Sequence, residues 1–170
     1  MQPIKIFTTG GTIDKVYFDA KSTYEVGEPN ISRVLAELPL DLDYTVTSVL
    51  RKDSLEITPA DRNVIIAAVL DAEEEQIIVT HGTDTMVDTA KALQAAVKDK
   101  TIVLTGALEP ALFKTSDAMV NIGCAIAAVQ SLPAGAYITM NGRVFESGNV
   151  VKNVALGRFM TLEEMNNIKA

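Results

Sequence analysis

The chain has 170 residues, of which 48% are hydrophobic and 22% are charged, and these proportions exclude a disordered or fibrous protein. Its length suits one domain that buries roughly 70% of the surface of the unfolded chain. The net charge is −7 without a cluster of Lys and Arg, and no apolar run approaches the ~20 residues of a membrane span, so neither nucleic acid nor a membrane is an expected partner.

The chain begins with a predicted strand over residues 5–8 and a glycine-rich turn over residues 9–13, Thr-Gly-Gly-Thr-Ile. Paired glycines in such a turn bring backbone amides close to a ligand. Residues 14–29 are polar and aromatic and predict a hairpin. Two interpretations of it stay open, a mobile flap that closes over a small molecule and a plain surface hairpin.

The next segment alternates between helical and strand patterns. The predicted elements are a helix over 31–38 capped by Asn30 and ended by Pro39, a strand over 44–50, a loop over 51–54, and a helix that begins at Thr58 and Pro59.

The centre of the sequence pairs a buried strand with an amphipathic helix. Residues 76–79 form a short β-branched run, and residues 84–98 carry apolar side chains at three- and four-residue spacing. Between them lies Thr-His-Gly-Thr-Asp-Thr, residues 80–85. In open α/β sheets, ligands bind where the carboxyl end of a strand meets the amino end of a helix.

The last third continues the same alternation. It predicts a strand over 101–105, a helix over 117–130 capped by Ser116, a strand over 136–140, a turn at 141–142, a short strand over 143–145, irregular chain over 147–159 and a terminal helix from Thr161. This order predicts an α/β fold, a mostly parallel sheet with helices on both faces, in a single domain.

The single cysteine, the single histidine and the composition of the N-terminus bear on disulfides, zinc binding and location. The single cysteine, Cys124, rules out an internal disulfide and lies in an apolar helical stripe, where we expect a buried thiol. One histidine and one cysteine argue against a zinc site. The first residues lack a secretory signal, which predicts a cytoplasmic protein, although a mature form without its leader would look the same.

Three predicted strands end in threonine and glycine, at residues 9–10, 80–82 and 105–106. Hydroxyls and glycines at strand ends place donors at a crevice, which indicates a small polar ligand. Residues 9–13 together with residues 81–85 resemble the two signature motifs of the bacterial-type L-asparaginase family. The resemblance continues through residues 22–27, 105–107 and 149–152, and it covers essentially the whole chain as the family's N-terminal domain.

The resemblance implies a flavodoxin-like fold and one catalytic domain over residues 1–170, without the smaller C-terminal domain of most members. It implies that Thr12 is the nucleophile and Tyr24 the flap tyrosine. It further assigns Thr83, Asp84 and Lys152 as the second threonine with its acid and base partners. Ser54 matches the serine that holds the α-carboxylate of the substrate.

The chemistry of these residue types agrees with the assignment. A threonine hydroxyl is a weak nucleophile and needs a base, which a deprotonated Lys152 can supply while Asp84 orients it and Thr83 passes the proton. Backbone amides near Gly11 and Thr83 are candidate donors to the developing oxyanion. Whether Thr12 forms an ester or a water attacks directly stays open.

The expected function is hydrolysis of L-asparagine to L-aspartate and ammonia by a homo-oligomer, with no metal or cofactor. In two-domain members an acid from the C-terminal domain of a neighbouring subunit contacts the amino group of the substrate. Glu56 or an acid of a second protomer is the expected replacement. Leu55 stands where many members place a polar contact, which disfavours glutamine.

Other interpretations remain for each residue. Asp84 is also a plausible N-cap, Lys152 a surface lysine, and Thr12 and Thr83 strand-end hydroxyls bonded to their own backbone. His81 is expected to stabilise a turn. The whole chain is alternatively a non-catalytic amino-acid sensor or a fragment of a longer enzyme.

Overall fold

The computed structural model describes residues 2–169. The strands are β1 (Ile4–Gly10), β2 (Lys15–Phe18), β3 (Thr23–Val26), β4 (Tyr44–Lys52), β5 (Gln76–Thr80), β6 (Thr101–Thr105), β7 (Gly135–Met140), β8 (Arg143–Glu146), β9 (Val151–Asn153) and β10 (Arg158–Met160). The α-helices are α1 (Asn30–Ala36), α2 (Pro59–Asp71), α3 (Met86–Ala96), α4 (Ala118–Ser131) and α5 (Leu162–Lys169).

The main sheet has six strands in the order β4-β1-β5-β6-β7-β8, and only β8 runs antiparallel to its neighbour. Counted along the chain, its five parallel strands follow the order 2-1-3-4-5, which is the flavodoxin-like order. The predicted fold class is therefore confirmed. The strand order reverses between β1 and β5, so the crevice for a ligand is expected beyond the carboxyl ends of these two strands.

Helices cover both faces of the sheet. Helices α2 and α3 pack on one face, and α1 and α4 pack on the other. Each pair of helices covers one apolar cluster. The central strands are buried on both sides, which explains why Ile77, Ile78 and Val79 form a continuous apolar run with 0% exposure.

Several local predictions are confirmed. Helix α2 begins at Pro59 with Thr58 as its N-cap, and residues 15–26 form the antiparallel hairpin β2–β3. The structure adds that Asp61 completes a capping box with Thr58. Asn141 and Gly142 join β7 to β8 with φ angles of 55° and 72°, as a type I′ turn requires. Strand β6 has the predicted bounds.

Other predictions are wrong, and the cause is contact with distant residues. Arg51 and Lys52 belong to β4, because Lys52 pairs with Gly10 in the sheet. The stretch expected to be irregular contains the antiparallel hairpin β9–β10. Asn30 is the first residue of α1 and not its cap, and its amide donates to the carboxylate of Asp14 at 2.8 Å.

Two further corrections concern α3 and α4. Helix α3 begins at Met86, later than predicted, and its N-cap position is Thr85. Cys124, expected to be buried in α4, is only partly buried.

Candidate active site

Two glycine turns meet where the strand order reverses. Gly11 has a φ of +86°, and a Cβ added to it would lie 2.4 Å from the Cα and N of Gly82. A Cβ added to Gly82 would lie 2.6 Å from the Oγ of Ser54. Any larger residue at these positions would separate the backbones, so glycine allows the chain segments after β1, β4 and β5 to converge.

Hydrogen bonds hold the three segments together. The Gly11 amide donates to the carbonyl of Lys52 at 2.9 Å. The Asp84 amide donates to Ser54 Oγ at 3.3 Å, and the Thr85 hydroxyl donates to the Ser54 carbonyl at 2.8 Å. These contacts bury Ser54. Its hydroxyl group is free to rotate and can point its hydrogen at an acceptor.

Lys152 reaches this point from β9. Its Nζ lies 2.8 Å from Thr83 Oγ1 and 2.5 Å from Asp84 Oδ1, although the residues are 69 and 68 positions apart in sequence. The Lys152 side chain is only 14% exposed, so it is not an ordinary surface lysine. Asp84 lies outside α3 and is not its cap residue, which removes that alternative interpretation.

Thr12 lies on a single 3-10 turn, Thr12–Asp14, that directly follows Gly11. Its side chain is partly exposed, and within residues 2–168 its hydroxyl has no hydrogen-bond partner. The contact between Gly11 and Gly82 brings the turn of Thr12 beside the turn of Thr83. The structure thus brings both signature motifs together beyond the carboxyl ends of β1 and β5.

Tyr24 stands apart from the lysine contact. It lies on β3, is 50% exposed, and its ring packs edge-on against Phe113 and Tyr17 at centroid distances of 6.0 and 5.4 Å. It lines a polar cleft with the end of β4 and the 3-10 turn that follows it. The hairpin β2–β3 therefore forms one wall of the cleft.

Three carboxylates line this cleft. Asp53 pairs with Lys15 at 2.8 Å, and the hydrogen bond from Lys15 is the main reason why the pKa of Asp53 is lowered. Glu25 pairs with Lys21 at 2.8 Å. Within residues 2–168, Glu56 has no ion-pair partner, so its charge is available to a ligand.

Asp14, two residues after Thr12, is a further acid of this region that no sequence pattern indicated. Its side chain is buried, and desolvation raises its pKa to about 6, against the opposing effects of the Asn30 amide and the charge of Arg51. The Asp14 carbonyl also accepts the Gly27 amide at 2.8 Å and so joins both ends of the hairpin. No local pattern signals this burial, because the partners are 13 to 37 residues away.

The described residues have no group of three or more His, Cys, Asp or Glu side chains arranged to hold a metal ion. Nor does any helix in the described part of the chain have the length and apolar composition that a membrane crossing requires.

The profile of the family described as "Asparaginase, N-terminal" matches residues 3–168. The chain belongs to the asparaginase family. Among curated proteins, this asparaginase-family chain is 30% identical over 161 residues to L-asparaginase 2 of Escherichia coli and 29% identical over 161 residues to a probable periplasmic L-asparaginase of Haemophilus influenzae. Each alignment covers 88% of the chain and 46% of the relative.

Solved structures agree with this membership. The thermostable L-asparaginase from Thermococcus kodakarensis superposes with a TM-score of 0.84 at 27% identity, over 94% of this chain and 51% of the other. A probable cytoplasmic L-asparaginase from Campylobacter jejuni gives 0.80 at 25% identity, over 95% and 53%. The asparaginase-family chain spans about half the length of the curated relatives it matches. Because relatives are named both periplasmic and cytoplasmic, its cytoplasmic location stays a prediction.

Proposed function

We propose that this chain hydrolyses the side-chain amide of L-asparagine to L-aspartate and ammonia. The observation that carries the proposal is the contact of Lys152 with Thr83 and Asp84. A lysine that bonds both a threonine hydroxyl and a carboxylate beside a second threonine is an arrangement suited to proton transfer. Names of relatives at about 30% identity support the same activity.

In the proposed reaction Thr12 Oγ1 attacks the side-chain amide carbon. Its proton passes through Thr83 and Lys152 to the amide nitrogen, the carbon–nitrogen bond breaks, and ammonia leaves. Water then cleaves the ester on Thr12 and releases aspartate. In the alternative course a water attacks directly and Thr12 only binds the substrate.

The backbone amide of Gly11 is not a donor for the developing oxyanion. Because the Gly11 amide already donates to Lys52, it is not available to a substrate. We assign the role to the neighbouring backbone amides of Thr12 and Thr83, which flank the contact between the two glycines. Gly11 then contributes by its close approach to Gly82.

The charged ends of the substrate also need partners. In the proposal Ser54 receives the α-carboxylate, and Glu56 receives the α-ammonium because Asp84 is engaged by Lys152 and Asp53 by Lys15. Replacing Glu56→Gln is expected to raise KM for asparagine about tenfold, a loss near 1.4 kcal/mol, with little change in kcat. An unchanged KM would place the ammonium elsewhere.

The direct test is ammonia release from L-asparagine between micromolar and tens of millimolar substrate. Thr12→Ala and Thr83→Ala are each expected to lower kcat by roughly a thousandfold. The matched control is Thr47→Ala on the exposed side of β4, which should keep the parent rate. A parent protein that releases no ammonia, while asparagine raises its melting temperature, would favour a non-catalytic amino-acid sensor.

A further inference from the structure

A buried hydrogen-bond network, formed by the side chains of His81, Thr89 and Arg62, lies behind the Gly82 turn. His81 is 0% exposed, and each of its ring nitrogens has one partner. Nδ1 lies 2.7 Å from the carbonyl oxygen of Gly82, and Nε2 lies 2.8 Å from Thr89 Oγ1. A carbonyl oxygen only accepts hydrogen bonds, so the hydrogen is on Nδ1, and Nε2 of the neutral ring accepts from Thr89.

At the other end of this network, the donor and the acceptor of the hydrogen bond are equally well defined. Arg62, on the first turn of α2, places Nε 3.2 Å from Thr89 Oγ1, and a guanidinium only donates. The Thr89 hydroxyl therefore accepts from Arg62 and donates to His81, whose Nε2 is nearer than the Thr85 carbonyl at 3.5 Å. Thr89 is itself fully buried.

These hydrogen bonds fix the orientation of the peptide between Gly82 and Thr83. The His81 ring holds the carbonyl of Gly82, and the peptide that follows is planar and trans. The amide of Thr83 belongs to that same peptide and points away from the carbonyl. Holding one end therefore aims the Thr83 N–H away from the His81 ring.

Burial supports a permanently neutral ring. The pKa of His81 is lowered to about 4, mainly by desolvation and in part by the charge of Arg62, which together outweigh the opposing effects of the Gly82 hydrogen bond and Asp88. At neutral pH the imidazole ring is therefore neutral and carries one N–H hydrogen. Each group in the network keeps its role as donor or acceptor.

We infer that Arg62 and Thr89 are positioning residues that act through the Nδ1–H tautomer of His81 to aim the Thr83 amide at the oxyanion. The inference rests on the proposed function, since it concerns the same reaction. An amide that is misaimed stabilises the transition state less but leaves the charged ends of the substrate bound. Replacing Arg62 or Thr89 should therefore lower kcat and leave KM nearly unchanged.

The test combines kinetics with ¹⁵N NMR of the imidazole. His81 is the only histidine in the sequence, so its two nitrogen signals need no further assignment. The wild-type protein should show the Nδ1–H tautomer between pH 8 and pH 5. Thr89→Val removes the hydroxyl at constant shape and should lower kcat about tenfold with KM within a factor of about three, as should Arg62→Met.

Two controls separate positioning from a loss of stability. Thr89→Ser restores the hydroxyl and should restore kcat, whereas Thr47→Val and Arg33→Met change exposed residues outside the chain of bonds and should change nothing. Rates are compared at a temperature at which circular dichroism shows each variant to be folded.

The outcomes distinguish this inference from the proposed function. An active wild-type protein with the Nε2–H tautomer, or a folded Thr89→Val variant with unchanged kcat, overturns the inference alone. A wild-type protein that shows the Nδ1–H tautomer but releases no ammonia from asparagine overturns the proposed function, and the positioning role with it.

Discussion

Replacement of Asp14 by asparagine removes a buried charge at the base of the hairpin β2–β3. The pKa of Asp14 is raised from 3.8 to about 6, mainly by desolvation. Between these values the folded chain binds more protons than the unfolded chain, so its stability falls as the pH rises through this window. At roughly 1.4 kcal/mol per pKa unit, the ionised carboxylate costs about 3 kcal/mol at pH 7.

The asparagine side chain would carry no charge, and its amide oxygen would still accept a hydrogen bond from the Asn30 amide, which donates to Asp14 at 2.8 Å. Asp14→Asn should therefore raise the free energy of unfolding by about 3 kcal/mol at pH 7. For a chain of this size that corresponds to an increase of about 6–12 °C in Tm. At pH 4 Asp14 is protonated in the folded state, and the gain should fall to roughly 0.5 kcal/mol.

Urea unfolding followed by far-UV circular dichroism at pH 7 and pH 4 measures both values. Asp19→Asn, at the exposed tip of the same hairpin, is the matched control and should change the stability at neither pH. An equal gain from Asp14→Asn at both pH values would mean that charge burial is not the cause. A loss at pH 7 would mean that Arg51 stabilises the ionised carboxylate more than burial disfavours it.

Three further predictions concern stability and assembly. In the Asp14→Asn variant the lowered pKa of His81 should be the main cause of a loss of about 3 kcal/mol in the free energy of unfolding between pH 7 and pH 4 in the same urea experiment, because the unfolded chain takes up the proton first. Asp53, Asp61 and Glu164, whose pKa values are lowered by hydrogen bonds, add a loss of the same sign at the low end of this range. A pH-independent stability would contradict this. Gly82→Ala should cost about 1–3 kcal/mol through its overlap with Ser54, whereas Gly148→Ala meets no atom within 4 Å and should stay within about 0.5 kcal/mol, both measured by thermal unfolding. Light scattering should show a homo-oligomer, and a fully active monomer would refute that expectation.

The elements that flank the crevice follow from local patterns. Strand β6 was predictable because a strand buried on both faces is a continuous apolar run, and the start of α2 because its N-cap threonine and the proline that follows are adjacent in sequence. The hairpin β9–β10 was not predictable, since three-residue strands carry too little alternation to be recognised. The end of β4 depends on the pairing of Lys52 with Gly10, which no local pattern contains.

The residue types of the site are visible in the order of residues alone, because two glycine turns lie beside threonines. The contact of Lys152 with Thr83 and Asp84, which are 69 and 68 positions away in sequence, follows from the packing of the fold. The burial of the Asp14 carboxyl follows from the same packing. A contact between distant residues, and the pKa of a group that such contacts bury, depend on where the packed elements bring the chain, and that information is not local.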